Sequence, residues 1–182
     1  MLHTIQCEKS TSDAGSARQS SQQALCTRAP SRHLTTDDRA RVLAHLLRLN
    51  AQDRRMRFCQ SFSDANVTDY VANIDFDKSV CFGLFDDGQN LVALAQSFAY
   101  DDGGVRMLEA AFSTDAAWRC QGLGTVLFRQ VTDFAAEQRM DRVIAQCLAG
   151  NRPMRALLRA VGAVCAVDDG EVTGQLEIVG HA

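Results

Sequence analysis

The sequence predicts a single α/β domain built around a central mixed, mostly antiparallel, twisted sheet that is flanked by helices. A chain of 182 residues with 46% hydrophobic residues has the length and composition of one globular domain. The spacing of its apolar residues alternates between the helical and the strand pattern. After a weak first strand, it predicts two helices, three strands, a helix, a strand, a helix and two strands. Asp-Gly turns between neighbouring strands predict antiparallel pairs, and the strand-helix-strand segment predicts a parallel crossover.

The N-terminal part contains a leader and two helices. Residues 1–30 are rich in Ser, Gln and Thr and poor in large apolar residues, which predicts a flexible leader before a domain at 31–182. Thr35 caps the first helix, with acids in its first turn, and a second short helix starts at Ser63. Three arginines between these helices are expected to be solvated surface: Arg54, Arg55 and Arg57.

Six further segments have strand patterns, and two helices separate them. The first three strands should form an antiparallel meander: Ser79–Phe85, Leu91–Tyr100 and Val105–Thr114. A helix of about 18 residues follows, and it leads to a buried strand that should lie parallel to the third. That strand and the final hairpin are Arg142–Cys147, Ala163–Val167 and Val172–Val179. The last helix begins after Asn151, with a proline in its first turn, and ends near Gly162.

Composition excludes several functional classes. A net charge of −3 gives no reason to expect nucleic-acid or membrane-surface binding. The chain has no apolar run of the ~20 residues that a membrane helix needs, and no signal-peptide core, so a cytoplasmic location is expected. The 7 cysteines include no C-x-x-C pair, and none of the 4 histidines lies between residues 46 and 180. We therefore expect no metal site and no Ser–His or Cys–His nucleophilic pair in the core.

The most informative motif is Arg-Cys-Gln-Gly-Leu-Gly at Arg119–Gly124, between a strand and a helix. Its two glycines permit a tight turn, and the amides at the start of the helix lack carbonyl partners, so the loop predicts a diphosphate site. The dinucleotide fingerprint G-x-G-x-x-G would need glycine at Leu127. The ATP P-loop would need Gly-Lys-Ser/Thr, and no lysine is near.

The remaining pattern, R/Q-x-x-G-x-G, resembles the pyrophosphate loop of the GNAT superfamily of acetyl-CoA-dependent N-acetyltransferases. The resemblance covers roughly residues 31–182. It includes the order of elements, the strand Leu108–Thr114 before the loop, and the N-x(10)-G spacing from Asn151 to Gly162. It implies the GNAT-like (acyl-CoA N-acyltransferase) fold, with acetyl-CoA as co-substrate.

The resemblance also implies which residues bind the cofactor. The backbone before the loop would hydrogen-bond the pantetheine arm: Phe112, Ser113 and Thr114. The loop and the first helical amides would face the pyrophosphate: Arg119, Cys120, Gln121, Gly122, Leu123, Gly124 and Thr125. Asn151 would contact the pantetheine or the acetyl end, and an Asn before a helix is also a common N-cap.

Glu109 is the candidate general base, because many family members carry a glutamate on this strand. The family's usual proton donor to the departing thiolate is a tyrosine, and Leu158 stands at the matching position. Either water or another group, such as Cys147, would then protonate the thiolate, or catalysis would be weak.

The expected function is acetyl transfer from acetyl-CoA to a primary amine of a small molecule or a protein. A homodimer is compatible with the family resemblance. Two alternatives stay open from the sequence: a non-catalytic acyl-CoA-binding or sensor domain, favoured by Leu158, and a loop that binds another phosphate ligand such as a nucleotide.

Overall fold

A mixed sheet of seven strands forms the centre of the computed structural model, which describes residues 31–179. The predicted leader at 1–30 lies outside the described residues. The strands are β1 (Arg32–His33), β2 (Ser79–Phe85), β3 (Leu91–Asp102), β4 (Val105–Thr114), β5 (Arg142–Leu148), β6 (Val164–Asp168) and β7 (Glu171–Glu177). They lie in the order β1-β2-β3-β4-β5-β7-β6.

The strand pairing confirms the predicted topology. β2, β3 and β4 form the antiparallel meander, and β6 and β7 form the final hairpin. β4 and β5 form the parallel pair, because a helix carries the chain from the end of β4 back to the start of β5. The sheet is therefore the predicted mixed, mostly antiparallel one.

Five α-helices flank the sheet within the described residues: α1 (Arg39–Arg48), α2 (Ala51–Phe58), α3 (Asp64–Ala72), α4 (Leu123–Glu137) and α5 (Arg152–Ala160). Short 3-10 turns at Thr36–Asp38 and Ala116–Trp118 precede α1 and the glycine loop. None of the helices in this part of the chain has the length and apolar character needed to span a bilayer.

Helix α2 was not predicted from the sequence. Asn50 caps it by accepting a hydrogen bond from the Asp53 amide at 2.9 Å. The expectation that its arginines are all solvated is wrong, because Arg54 is only 8% exposed and pairs with Asp64 at the start of α3. Burial of this cation is possible because Arg54 also donates to the Leu47 carbonyl at 2.8 Å.

The helix after the glycine loop has 15 residues, fewer than predicted. It ends because Arg139 adopts a left-handed conformation (φ 55°). The Met140 amide then bonds to the Ala135 carbonyl at 2.8 Å, and the Arg139 amide bonds to Ala136 at 3.0 Å. These two bonds form a Schellman ending, which usually places glycine at the left-handed position.

Hydrophobic cores lie on both faces of the sheet. Helices α4 and α5 cover one face, where Phe128 is 2% exposed and its burial contributes roughly 1.5–3 kcal/mol. Helices α1 and α3 cover the other face around Val42, Leu46 and Val67. Because side chains alternate along a strand, the two faces of β4 meet different helices, and the end of β4 is enclosed between them.

Candidate active site

The parallel strands β4 and β5 separate within the sheet. Their pairing runs from Met107 opposite Arg142 to Glu109 opposite Ile144, and then stops. Both strands continue, to Thr114 and Leu148. Along this second half, β3 occupies only one edge of β4, so every second residue turns its backbone N–H and C=O into the gap beside β5. A ligand that carries amide groups could pair with this edge.

A cavity of about 750 Å³ opens at this gap. The end of β4, the glycine loop and the first turn of α4 line one side of it. The end of β5 and helices α2 and α5 line the rest. A cofactor lying across the gap would therefore have both the start of α4 and helix α2 beside it.

The glycine loop presents the start of α4 to the cavity. Gly122 caps the helix in a left-handed conformation (φ 80°), and no side chain caps the first turn. The first backbone hydrogen bond of this helix runs from the Val126 amide to the carbonyl of the capping residue Gly122, at 3.1 Å. The amides of Leu123, Gly124 and Thr125 have no carbonyl partner inside the helix, and the helix dipole adds positive potential at the same point. This arrangement suits an anionic group.

The two glycines of the motif have different structural roles. Gly122 is required by its positive φ, and a Cβ there would meet nothing within 4 Å. Gly124 has an ordinary φ, but a Cβ there would lie 3.3 Å from Leu157 Cδ2 on α5. The first glycine therefore permits the turn, and the second permits the close approach of α4 and α5.

An ion pair connects the loop to α2. The Arg119 guanidinium lies 2.6 Å from the Asp53 carboxylate, and both residues line the cavity. The charge of Arg119, a residue predicted to face the pyrophosphate, is therefore already opposed by an acid in this structure.

Asn151 joins α5 to α2. Its side-chain oxygen accepts a hydrogen bond from the Met154 amide at 3.1 Å, which makes it the N-cap of α5. Its side-chain nitrogen donates to the Met56 carbonyl at 3.4 Å. Asn151 also lines the cavity, so capping leaves it next to the proposed cofactor position.

All the residues predicted to contact cofactor line the cavity except Gln121, whose side chain donates to the Ala117 carbonyl at 3.3 Å. Glu109 does not line it either. Glu109 is the last β4 residue paired with β5, so it stands where the two strands begin to separate. Its carboxylate lies close enough to Tyr100 to help burial raise the pKa of that phenol.

Sequence reasoning missed the contribution of α2 to the cavity. This helix and the residue that caps it supply Asn50, Gln52, Asp53, Met56 and Arg57. The available signal was an N-cap asparagine followed by an acid three residues later, the pattern of a helix start. The high arginine content concealed it, because these residues were interpreted as loop surface.

A family model described as an acetyltransferase (GNAT) domain matches residues 31–164, which is more than half of the chain. This chain belongs to the GNAT acetyltransferase family. The match confirms the resemblance that the glycine loop indicated and gives the alternative of a non-catalytic sensor no support. No curated protein sequence matches the chain significantly.

Solved structures share the fold of this GNAT acetyltransferase. The GNAT domain of S. lividans PAT has a TM-score of 0.69 at 21% identity, over 81% of this chain and 89% of that chain. The ribosomal-protein-S18-alanine N-acetyltransferase from Escherichia coli has a TM-score of 0.61 at 18% identity, over 84% and 94%. Spermidine N-acetyltransferase from Vibrio cholerae, in complex with CoA and spermine, has a TM-score of 0.63 at 15% identity, over 81% and 94%. These likenesses confirm the GNAT-like fold.

The position at which many family members carry tyrosine holds a core residue here. Leu158 is fully buried and packs against Gly174 of β7, where a Cβ would lie 2.5 Å from Leu158 Cδ2. Leu158 is absent from the cavity lining, which takes Met154 and Leu157 from the same helix. No proton donor replaces the tyrosine at this turn of α5.

Cys147 lines the cavity but is a poor substitute acid. Burial, with a smaller contribution from Cys59, raises the pKa of the Cys147 thiol to about 11. A coenzyme A thiol has a pKa near ~8.5, so proton transfer from Cys147 to the thiolate would be uphill by about 3 kcal/mol. Water is the better candidate for this step.

One histidine makes a contact with the sheet that the sequence did not predict. His45 of α1 and Ser113 of β4 are hydrogen-bonded, with Nε2 and Oγ 2.8 Å apart. The two residues are 68 positions apart in the chain, so their pairing had no local signal.

Within the described residues, no group of three or more His, Cys, Asp or Glu side chains is arranged to hold a metal ion.

Proposed function

We propose that this GNAT acetyltransferase transfers the acetyl group of acetyl-CoA to a primary amine by direct attack on the thioester. The observation that carries the proposal is the gap between β4 and β5, which leads to the free amides at the start of α4 within one cavity. A pantetheine arm is extended and carries amides, so it can pair with an unpartnered strand edge. A pyrophosphate suits the start of a helix.

The proposed reaction needs a neutral amine. An alkylammonium of pKa near ~10.4 is only about 0.04% neutral at pH 7. After the ammonium loses a proton to the base, its nitrogen attacks the thioester carbonyl. The nitrogen of the tetrahedral intermediate gives a second proton to water, the C–S bond breaks, and the thiolate takes a proton from water. Backbone amides along β4 would stabilise the developing oxyanion, and the cavity would hold both reactants together. A positioned base would add roughly 10²- to 10⁴-fold.

Glu109 is our candidate for that base. It lies at the point where β4 and β5 separate, next to the gap in which the thioester would sit. Because Glu109 does not line the cavity, it would act through a water molecule rather than by direct contact.

The acceptor would approach the cavity beside α2. Two acids that could attract a cationic amine are already paired, Asp64 with Arg54 and Glu177 with Arg142. Asp53 faces the cavity but is paired with Arg119. The names of two structural neighbours specify their acceptors, a ribosomal-protein alanine in one and spermidine in the other. Both a protein amine and a small molecule therefore remain open here. Cytoplasmic location and homodimer formation also remain predictions.

Two measurements test the proposal. Calorimetry should detect acetyl-CoA association with the folded protein, and ATP and NAD should not compete for the site. A panel of amines should then release free CoA thiol at a rate above that of hydrolysis. An absence of acetyl-CoA binding would refute the assignment of the cavity. Binding without CoA release from any amine would refute the catalytic part alone.

A further inference from the structure

His45 is enclosed between α1 and the end of β4, with both of its ring nitrogens in contact with oxygen. The residue is 0% exposed. Its Nδ1 lies 3.0 Å from the Leu91 carbonyl and 2.9 Å from a carboxylate oxygen of Asp115, while Nε2 lies 2.8 Å from Ser113 Oγ. Because both neighbours of Nδ1 are acceptors, Nδ1 carries a proton, and in the neutral ring Nε2 accepts the Ser113 hydroxyl.

Arg48, one helical turn after His45, holds the same segment. Its guanidinium donates to the other carboxylate oxygen of Asp115 at 3.0 and 2.8 Å and to the Leu91 carbonyl at 2.6 Å. Burial raises the pKa of the Asp115 carboxyl, but His45 and Arg48 outweigh burial and hold that pKa below its ordinary value. The carboxylate therefore stays charged at neutral pH, where Arg48 binds it and the His45 ring lies beside it.

This cluster, consisting of His45, Arg48, Ser113 and Asp115, fastens the segment that leads into the glycine loop. Ser113 is near the end of β4 and lines the cavity. Asp115 bonds through its amide to the Val92 carbonyl at 2.9 Å and through its carbonyl to the Trp118 amide at 2.9 Å. The 3-10 turn that Asp115 begins ends next to the first residue of the glycine motif.

The end of β4 has a specific need for such support. Beyond Glu109 it has no β5 partner, so only β3 holds its backbone from within the sheet. If a binding segment becomes ordered only when the ligand binds, the affinity for the ligand is lower, because part of the binding free energy is used to order the segment. The cluster holds the unpaired half of β4 from the face of the sheet and leaves its edge open to a ligand.

The same residue types form the Ser–His–Asp nucleophilic triad, with Nε2 toward serine and Nδ1 toward aspartate. A triad histidine must reach both the nucleophile and the leaving group. The His45 ring is fully buried, and Ser113 is only 9% exposed. The enclosure of the ring therefore favours a role in positioning over nucleophilic catalysis.

We propose that His45 is a positioning residue for the acetyl-CoA site. It sets the end of β4 and the entrance to the phosphate loop before the cofactor arrives, without touching the cofactor. This inference rests on the proposed function, since it concerns the affinity of the same cavity for acetyl-CoA.

The test compares His45→Phe with Leu46→Ala in the full chain. Phenylalanine keeps most of the ring volume and removes every hydrogen bond. Leu46 is the next residue of α1, is equally buried, and packs in the core of α1 and α3 away from β4. We expect His45→Phe to raise the Kd and the KM for acetyl-CoA at least tenfold and to leave kcat at saturating acetyl-CoA within about twofold. Leu46→Ala should lower the unfolding temperature and leave the Kd unchanged.

Milder variants keep the test decisive if His45→Phe does not fold. Arg48→Gln removes part of the cluster outside the cavity lining and should weaken acetyl-CoA binding several-fold with kcat preserved. His45→Gln retains an amide that can hydrogen-bond and should recover part of the affinity that His45→Phe loses.

Three results would overturn the inference. The first is wild-type affinity in the folded cluster variants. The second is an equal loss of affinity in Leu46→Ala, which would make the effect a general one of stability. The third is a fall in kcat with unchanged KM, which would place the ring in the chemistry. If the wild type itself fails to bind acetyl-CoA, the proposed function fails together with this inference.

Discussion

Replacing Gly122 by alanine should separate the backbone requirement of the loop from its role in binding. Gly122 has φ 80° and begins α4. Gly162 has φ 79°, follows α5 and lies outside the cavity lining. A Cβ at either position would meet no atom within 4 Å. The two alanine variants therefore carry the same conformational cost and no steric clash, and only one of them lies at the proposed site.

The cost of a left-handed conformation for alanine is about 1–2 kcal/mol. For a domain of this size, each 1 kcal/mol lowers the unfolding temperature by roughly 2–4 °C. We expect both variants to unfold about 2–8 °C below the wild type. The local relief of strain at Gly122 should also turn the amides of α4 away from the cavity. Loss of even one charge-assisted hydrogen bond, at roughly 1.5–3 kcal/mol, weakens binding at least about tenfold.

The assay is thermal unfolding of both variants followed by acetyl-CoA titration below the unfolding range. Gly122→Ala should show the tenfold or greater rise in Kd, and Gly162→Ala should bind as the wild type does. Equal affinities for wild type and Gly122→Ala, with the predicted loss of stability, would show that the amides of this turn do not hold the diphosphate. An equal loss of affinity in Gly162→Ala would show that the effect is not local.

Three further predictions concern charged residues. Asp53→Asn should tighten acetyl-CoA binding by about two- to fivefold, since a partly exposed ion pair is worth up to ~1 kcal/mol and its removal frees Arg119 for a phosphate; weaker binding in a titration would show instead that Asp53 positions Arg119. Glu109→Gln should lower kcat/KM at neutral pH by about tenfold or more with little change in acetyl-CoA Kd, and an unchanged pH–rate profile would remove Glu109 from the mechanism. The hydrogen bond from Arg32 lowers the pKa of the Asp38 carboxyl below its ordinary 3.8, so this carboxylate contributes stability above that pH and loses it as the pH falls through the lowered pKa. Chemical denaturation between about pH 5 and 2 should therefore show a smaller loss of stability for Asp38→Asn than for the wild type.

The local features of the fold could be predicted because nearby residues determine them. The meander followed from alternating apolar residues bounded by Asp-Gly turns, and these pairs are present. Asn151 caps α5 because its own side chain reaches the amide three residues later. The glycine loop could be placed because its turn and the helix after it occupy one short segment.

The ends of two helices depend on a non-glycine residue that adopts a left-handed conformation. Helix α4 ended earlier than predicted because Arg139 takes a left-handed φ, and α2 ends at Cys59 in the same way. Neither residue type signals such an ending, because glycine is the usual residue there. The C-terminal ends of these helices are set by the hydrogen bonds of the backbone amides that follow and by the packing of the next segment of the chain.

By itself, the sequence determined the order of the elements other than α2, the glycine loop and the family, because periodicity, turns and caps act over a few residues. The tertiary structure alone decided where β4 and β5 separate and that α2 lines the cavity. It also decided that Leu158 belongs to the core and that His45 reaches Ser113. The physical reason is that these contacts join residues far apart in the chain. Their partners are selected by the packing of whole helices and strands, which no local pattern encodes.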